Sequence, residues 1–222
     1  MHRFDIPRVV AMTMLLLAAG CRSDPPSVLL DMPADSIVDG PGAGDPPPAR
    51  RTGPEAVASK SWAPAAFERP WEYIVIHHSA TESGSVEAFD RMHQAKGWDE
   101  TGYHFVITNG QGGGNGAIEV GGRWSKQKWG SHTGGTPHNE YNNYGIGICL
   151  VGDFTQKPPS REQLDSLKRL VTFLMDRYRI PPSRVVGHRD APNAKTACPG
   201  DALERYLNEV LRPELADHGS NP

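Results

Sequence analysis

A basic excess is missing from this sequence. Lys and Arg number 23 against 26 Asp and Glu, for a formal net charge of −3 at pH 7. No basic stripe is visible, so nothing marks a nucleic-acid partner. No apolar run is long enough to span a membrane as a helix: the longest, "VVAMTMLLLAAG" from Val9, is too short. Internal repeats are absent. Cysteine is scarce, with only Cys21, Cys149 and Cys198 in 222 residues. One of the three stands in "KTACPG", residues 195–200, between Ala and Pro and just before an apparent helix. A buried structural thiol needs no such setting; a metal ligand has a use for it. What remains, 37% hydrophobic and 22% charged residues, suffices for one domain plus extensions.

The first 20 residues are read as a targeting segment. Arg3 and Arg8 make a weak basic start, and the apolar run ends in "LAAGC". Small residues before Cys21 resemble a bacterial lipobox, with Ala18 where Leu is commonest. On that reading Cys21 is the lipidated first residue of the mature chain. The alternative is ordinary secretion with cleavage near Ala19. Arg22 resembles the pattern for outer-membrane sorting in a diderm host. Residues 22–70 hold ten of the twenty prolines, in "PPS", "GPGAG" and "DPPPARR". Such a segment buries too little apolar surface to offset its ordering entropy, and proline extends its reach. We read 21–70 as a lipidated, disordered tether, the plainer possibility being an inert spacer.

The folded domain is expected over 71–213, with a flexible tail at 214–222. "YIVI", Tyr73–Ile76, reads as a buried central strand that ends in "HHS". A helix follows from near Ser85 to Gly97. "YHFVIT" and "GAIEV" are strands joined by "GQGGGNG", which lacks the strand–helix setting of a phosphate loop and reads as a hairpin connection. "GIGICLVG" is a strand apolar on both faces. Ser160 and Gln163 make a capping box for a helix carrying Leu164, Leu167, Val171, Leu174 and Tyr178. "RVVGH" is a fifth strand. A last helix runs from about Pro199 to Leu211, with Leu203, Tyr206, Leu207 and Val210 on one face. The fold class is α/β, a single domain with a mixed sheet of about five to six strands flanked by helices.

Seven of the nine histidines fall between His77 and His188. His77 and His188 stand at the carboxyl ends of the first and fifth strands, and Cys198 at the start of the last helix. Ligands gather outside the carboxyl ends of strands in α/β sheets, so the three can converge. Two imidazoles and a thiolate match a catalytic zinc site that keeps a fourth position open. The helix dipole is expected to help the exposed Cys198 thiol ionise, with Pro199 in the first helical turn. Each residue also has a plainer reading. A lone His at a strand end is more often a hydrogen-bonding edge residue, and Cys149 and Cys198 are an alternative disulfide pair, although Cys149 reads as buried in a strand.

"VIHHSAT", "GWDETGYHFVI", "GSHTGG", "NNYGIGICLVGDF" and "GHRDAPNAKTACPG" follow one another in this order. Together they resemble the zinc-dependent N-acetylmuramoyl-L-alanine amidases of the type-2 amidase and peptidoglycan recognition protein family, over roughly residues 71–211. The resemblance implies a helix-covered mixed sheet and one Zn2+ held by His77, His188 and Cys198. It also implies hydrolysis of the amide between N-acetylmuramic acid and L-Ala in peptidoglycan, zinc activating the water and Tyr103 assisting.

The family pattern points to His77 rather than His78, which then faces the other way, beside the site or in packing. Phage-type members carry a Tyr in "GYHF", matched by Tyr103, and a Lys two residues before the Cys. Here that position is Thr196, as in catalytic peptidoglycan recognition proteins, with Lys195 one residue earlier. Whether Lys195 or Thr196 meets the oxyanion stays open. Recycling-type members carry a catalytic Glu where this chain has Cys149, and lack the Tyr. His132 matches a groove residue that contacts substrate; His138, Asn142 and Asn143 lie in a polar loop suited to groove contacts. His93 is read as structural, His104 as pointing into the fold, and Arg189 and Asp190 as orienting neighbours. The expected partners are peptidoglycan or muropeptides and, through Cys21, a membrane; a monomer is expected. The expected location is the cell envelope, as a membrane-anchored lipoprotein facing the periplasm. A non-catalytic peptidoglycan-binding or tethering lipoprotein is the alternative.

Overall fold

The computed structural model of the chain describes residues 62–64 and 67–219. The expected signal segment, Cys21 and the tether before Trp62 lie outside the described residues. Among those described, five strands form one sheet in the order β3-β2-β4-β1-β5. They are β1 (Tyr73–His78), β2 (Phe105–Ile107), β3 (Ile118–Val120), β4 (Gly145–Leu150) and β5 (Val185–Gly187). The continuous apolar runs of β1 and β4 occupy the centre, where both faces are covered. β4 is parallel to β1 and β2, β5 is parallel to β1, and only β3 runs against its neighbour, across the glycine-rich turn.

The two faces differ. On one, Ile74, Ile76, Phe105, Ile107, Ile146, Ile148 and Leu150 pack against the helices α4 (Arg161–Tyr178) and α5 (Asp201–Tyr206). On the other, Val106, Cys149 and Val151 meet Phe89 of α1 (Val86–Gln94) in a smaller cluster bordered by Tyr103. The helices start where their caps dictate. The Ser85 side chain accepts from Ala88 N at α1, and Ser160 and Gln163 form the reciprocal capping box at α4. Two single-turn helices, α2 (Gly122–Ser125) and α3 (Glu140–Asn143), were not expected, because four residues show no period.

The domain is longer at both ends than 71–213. Trp62 is buried, packs edge-on against Phe173 at 5.5 Å, and its carbonyl accepts the Trp124 indole N–H at 2.8 Å. Arg69 N donates to Gln127 Oε1 at 3.1 Å, so folded structure precedes Trp71. At the other end α5 continues through a π-helical turn, Leu207–Leu211, into α6 (Arg212–Gly219), where the reading had placed a flexible tail. Pro213 is tolerated because the wider turn just before it opens the hydrogen-bond ladder where proline has no N–H. The same turn rolls the helix face. Leu203, Leu207, Leu211 and Leu215 line up in the core, while Val210, assigned inward on a regular period, is 39% exposed. Nor does the helix begin at Pro199; it begins at Asp201, after Gly200 at φ +93°.

Leu215→Ala is expected to lower unfolding stability by about 2–5 kcal/mol, as for a buried leucine truncation. Val210→Ala should change it by less than about 0.5 kcal/mol. Chemical denaturation of the two variants checks the assignment; equally small losses would return residues 214–219 to a tail.

Candidate metal centre

β1 and β5 pair in parallel with Ile76 opposite Gly187. The next residues along are His77 and His188, the second in a short turn, His188–Asp190, directly after β5. Side chains at the same level on neighbouring parallel strands share a face. The two rings accordingly sit with centroids 4.6 Å apart. Cys198 reaches them from the following loop, its Sγ 3.7 Å from His77 Nδ1. The backbone binds that loop to the His188 turn: Arg189 N donates to Cys198 O at 3.0 Å, and the Arg189 guanidinium reaches Ala197 O and, at 2.6 Å, Asp201 Oδ1. Asp190 anchors the turn from below, accepting from Gly187 N at 2.9 Å and from Arg212 at 2.8 Å.

One ligand atom from each of His77, His188 and Cys198 lies within 4.8 Å of the others. A tetrahedral ion with bonds of roughly 2.0 Å to nitrogen and 2.3 Å to sulfur implies an N···S separation of about 3.6 Å. The donor set therefore fits such an ion. Burial, with the neighbouring imidazoles of His132 and His188 adding to it, holds His77 well below the usual histidine range; burial also lowers His188. Both effects favour the neutral ring, the state in which imidazole ligates.

The expected help from a helix dipole at Cys198 is not what the structure provides. The thiol is buried rather than exposed, and burial pushes it up to about 12. Its support comes from β1 instead: His78 N donates to Cys198 Sγ at 3.3 Å. The His78 ring faces away, 3.3 Å from Phe154 N, whose N–H it accepts, and 3.8 Å from Asp153. The disulfide alternative falls, because Cys149 and Cys198 are both free, the former inside β4.

Tyr103 precedes β2 rather than lying in it. Its ring is 5.3 Å from that of His77 and is flanked by Phe89 at 6.2 Å and His93 at 6.1 Å. Burial raises the phenol well above its ordinary value, with the Cys149 and Cys198 thiols adding to the effect, so the hydroxyl keeps its proton. Thr196 accepts the Cys198 backbone N–H at 3.1 Å. Lys195 is exposed. His104 points into the fold, accepting Gly147 N–H at 2.9 Å and donating to Lys128 O at 3.0 Å, and burial lowers it to about 4. His93 accepts Gly102 N–H at 3.1 Å beneath Trp98.

Two residues assigned to a substrate groove are interior. His132 is buried, with Nδ1 3.1 Å from His77 Nε2. Asn142 is spent on the chain itself. Its Oδ1 accepts from His132 N and Thr133 N, and its Nδ2 donates to Thr133 O and Asn139 Oδ1. Nothing of that amide is left for a ligand. Asn143 is partly exposed, its Nδ2 donating to His138 O at 3.3 Å, and His138 is exposed. Arg123, not singled out in the sequence, is buried and donates to Thr101 O at 2.6 Å and Trp129 O at 2.9 Å. It thereby ties together the two loops that lead into Tyr103 and His132. No period or motif marks it.

Residues 67–201 match the family described as N-acetylmuramoyl-L-alanine amidase. The chain is 32% identical over 179 residues to peptidoglycan-recognition protein 1 of Holotrichia diomphalia, covering 72% of this chain and 84% of that one. Two other curated relatives are matched over less of their own length, the chain spanning 58% of one and 27% of the other. Among solved structures it is similar to the N-acetylmuramoyl-L-alanine amidase LysC of Clostridium intestinale, with a TM-score of 0.55 and 27% identity over 69% of this chain and 90% of that one. It is also similar to a tyrosine-to-phenylalanine mutant of Drosophila PGRP-LB in complex with tracheal cytotoxin, with a TM-score of 0.51 and 27% identity over 68% of this chain. The matched span runs from just before β1 to the start of α5 and contains His77, Tyr103, His188 and Cys198, and the fold is shared: the chain belongs to the N-acetylmuramoyl-L-alanine amidase family.

Proposed function

We propose that this protein is a zinc-dependent hydrolase of the amide between N-acetylmuramic acid and L-Ala in peptidoglycan. The observation that carries the reading is the convergence of His77, His188 and Cys198 beside Tyr103. Zinc in such a site polarises a carbonyl and lowers the pKa of water to about 7. The chain's own groups supply the rest. His77 and His188, kept neutral by burial, offer lone pairs, and His78 N–H stabilises the Cys198 sulfur once its proton has left. Tyr103, with its phenol held protonated, is a donor to the oxyanion and a proton source for the departing amine. Thr196 accepts one hydrogen bond and retains its own proton to donate, which favours it over the exposed Lys195 as the second donor. Cys21 is read as a lipid anchor that holds the domain to a membrane by a long proline-rich tether, in the cell envelope facing the periplasm. A recognition module without catalysis has no use for a complete ligand set with a tyrosine beside it.

Cys198→Ser is expected to lose both bound zinc and hydrolysis of dye-labelled sacculi, since a serine hydroxyl is a poor zinc ligand. Metal analysis after dialysis reads the first. Full zinc and normal release in the variant would remove Cys198 from the site. Wild-type protein that binds sacculi and cuts nothing would instead establish the recognition module.

Tyr103→Phe should fold and bind zinc as the wild type does, with kcat on a soluble muropeptide reduced on the order of 10²–10⁴-fold and KM little changed. A wild-type kcat moves the donor role to Thr196 or Lys195.

Cys21→Ala is expected to move the protein from the membrane to the soluble fraction or to block its processing. Wild-type protein found wholly soluble on fractionation refutes the anchor.

A further inference from the structure

We propose that His132 is a positioning residue for His77, fixing that ring in the tautomer that turns a bare Nδ1 toward His188 and Cys198. The proposal rests on reading the three-residue cluster as a zinc site. The argument starts at Gly145, whose carbonyl lies 3.2 Å from His132 Nε2. A carbonyl only accepts, so Nε2 of His132 carries the hydrogen and its Nδ1 is a bare acceptor. His77 Nε2 lies 3.1 Å from that acceptor. It must donate, because two bare nitrogens at this distance repel. A neutral His77 with its hydrogen on Nε2 has none on Nδ1, the nitrogen 3.7 Å from Cys198 Sγ. The Thr133 hydroxyl, 2.9 Å from His132 Nδ1, is a second donor to the same acceptor and leaves the polarity unchanged.

The surroundings are shaped for this ring. A Cβ on Gly147 or on Gly130 would come within 2.3 Å of His132 Cδ2, so two glycines open the slot in which it lies. The backbone at 130–133 is held at several points. Asn142 Oδ1 takes His132 N at 2.8 Å and Thr133 N at 2.9 Å, Asn142 O takes Gly130 N at 2.9 Å, and Ser131 N donates to Gly102 O at 3.0 Å. A residue whose task was to meet substrate would have no need of a closed slot and an interior acceptor. Hydrogen bonds of this kind to a ligating imidazole set its tautomer and orientation, and their loss typically weakens metal binding 10–100-fold.

The test has two parts on the full-length chain. Side-chain nitrogen-15 NMR of the metal-free wild type is expected to show His77 and His132 both protonated at Nε2; His77 protonated at Nδ1 would overturn the proposal. In chelator competition, His132→Ala should bind zinc about 10–100-fold more weakly than wild type. His132→Asn, whose amide oxygen can stand where Nδ1 stood, should recover most of that loss. Wild-type zinc affinity in His132→Ala, with only KM for muropeptide raised, would make His132 a substrate contact and overturn the proposal. The spectrum needs no variant to fold, and it decides the tautomer even if wild-type protein binds no zinc, a result that would defeat the zinc reading alone.

Discussion

Neighbouring parallel strands present side chains of equal level to the same face, and the pairing of β1 with β5 puts this rule to use. With Ile76 opposite Gly187, one further step along each strand brings His77 and His188 together. A slip of one residue in either strand would turn one imidazole to the helical face. The register is protected by what packs on that face. Ile74 and Ile76 are fully buried among the residues of α4 and α5, and burying each contributes roughly 1.5–3 kcal/mol. The site is therefore held in register by the core packed on the opposite face of the sheet.

The opposite face bears the consequence of burying polar groups. His77, His104 and His132 are all interior, and burial lowers all three. Neutral imidazoles still need partners, and His104 and His132 find them in backbone groups of Gly147, Lys128 and Gly145. Cys198 is protonated in this setting, and only a cation nearby makes its thiolate favourable. Donors that are neutral when alone, gathered within 4.8 Å, are a site that waits for a positive charge without storing repulsion in its absence.

Much of this was legible in the sequence. The apolar runs gave β1 and β4, the Ser160 and Gln163 pair gave the start of α4, and histidines at two strand ends gave the ligand candidates. What escaped did so for physical reasons. The exposure of Val210 depends on a π turn, which no regular period encodes. Trp62 is held by residues distant in sequence: its ring packs edge-on against Phe173 and its carbonyl accepts the Trp124 indole N–H. Asn142 looked like a loop residue free to bind, because a polar side chain spent on backbone 9 or 10 residues away leaves no local trace. His132 was visible as a chemical group, but its direction is set by Gly145 and Asn142, which pattern alone does not connect to it.

One signal was present and passed over. "GIGICLVG" reads as apolar throughout, yet its residues alternate in size. Ile146, Ile148 and Leu150 face the helices and fill that core. Gly145, Gly147 and Cys149 fall at the alternate positions, and on that side Gly147 leaves room that His132 occupies, while Gly145 lets the Tyr141 backbone come close. A strand covered on both faces needs no polar alternation, so hydropathy cannot tell its sides apart. Volume can: a core face calls for large side chains, and a face against which other residues must lie close calls for small ones. In β4 the small side marks where the functional residues gather, before any of them is known to be functional.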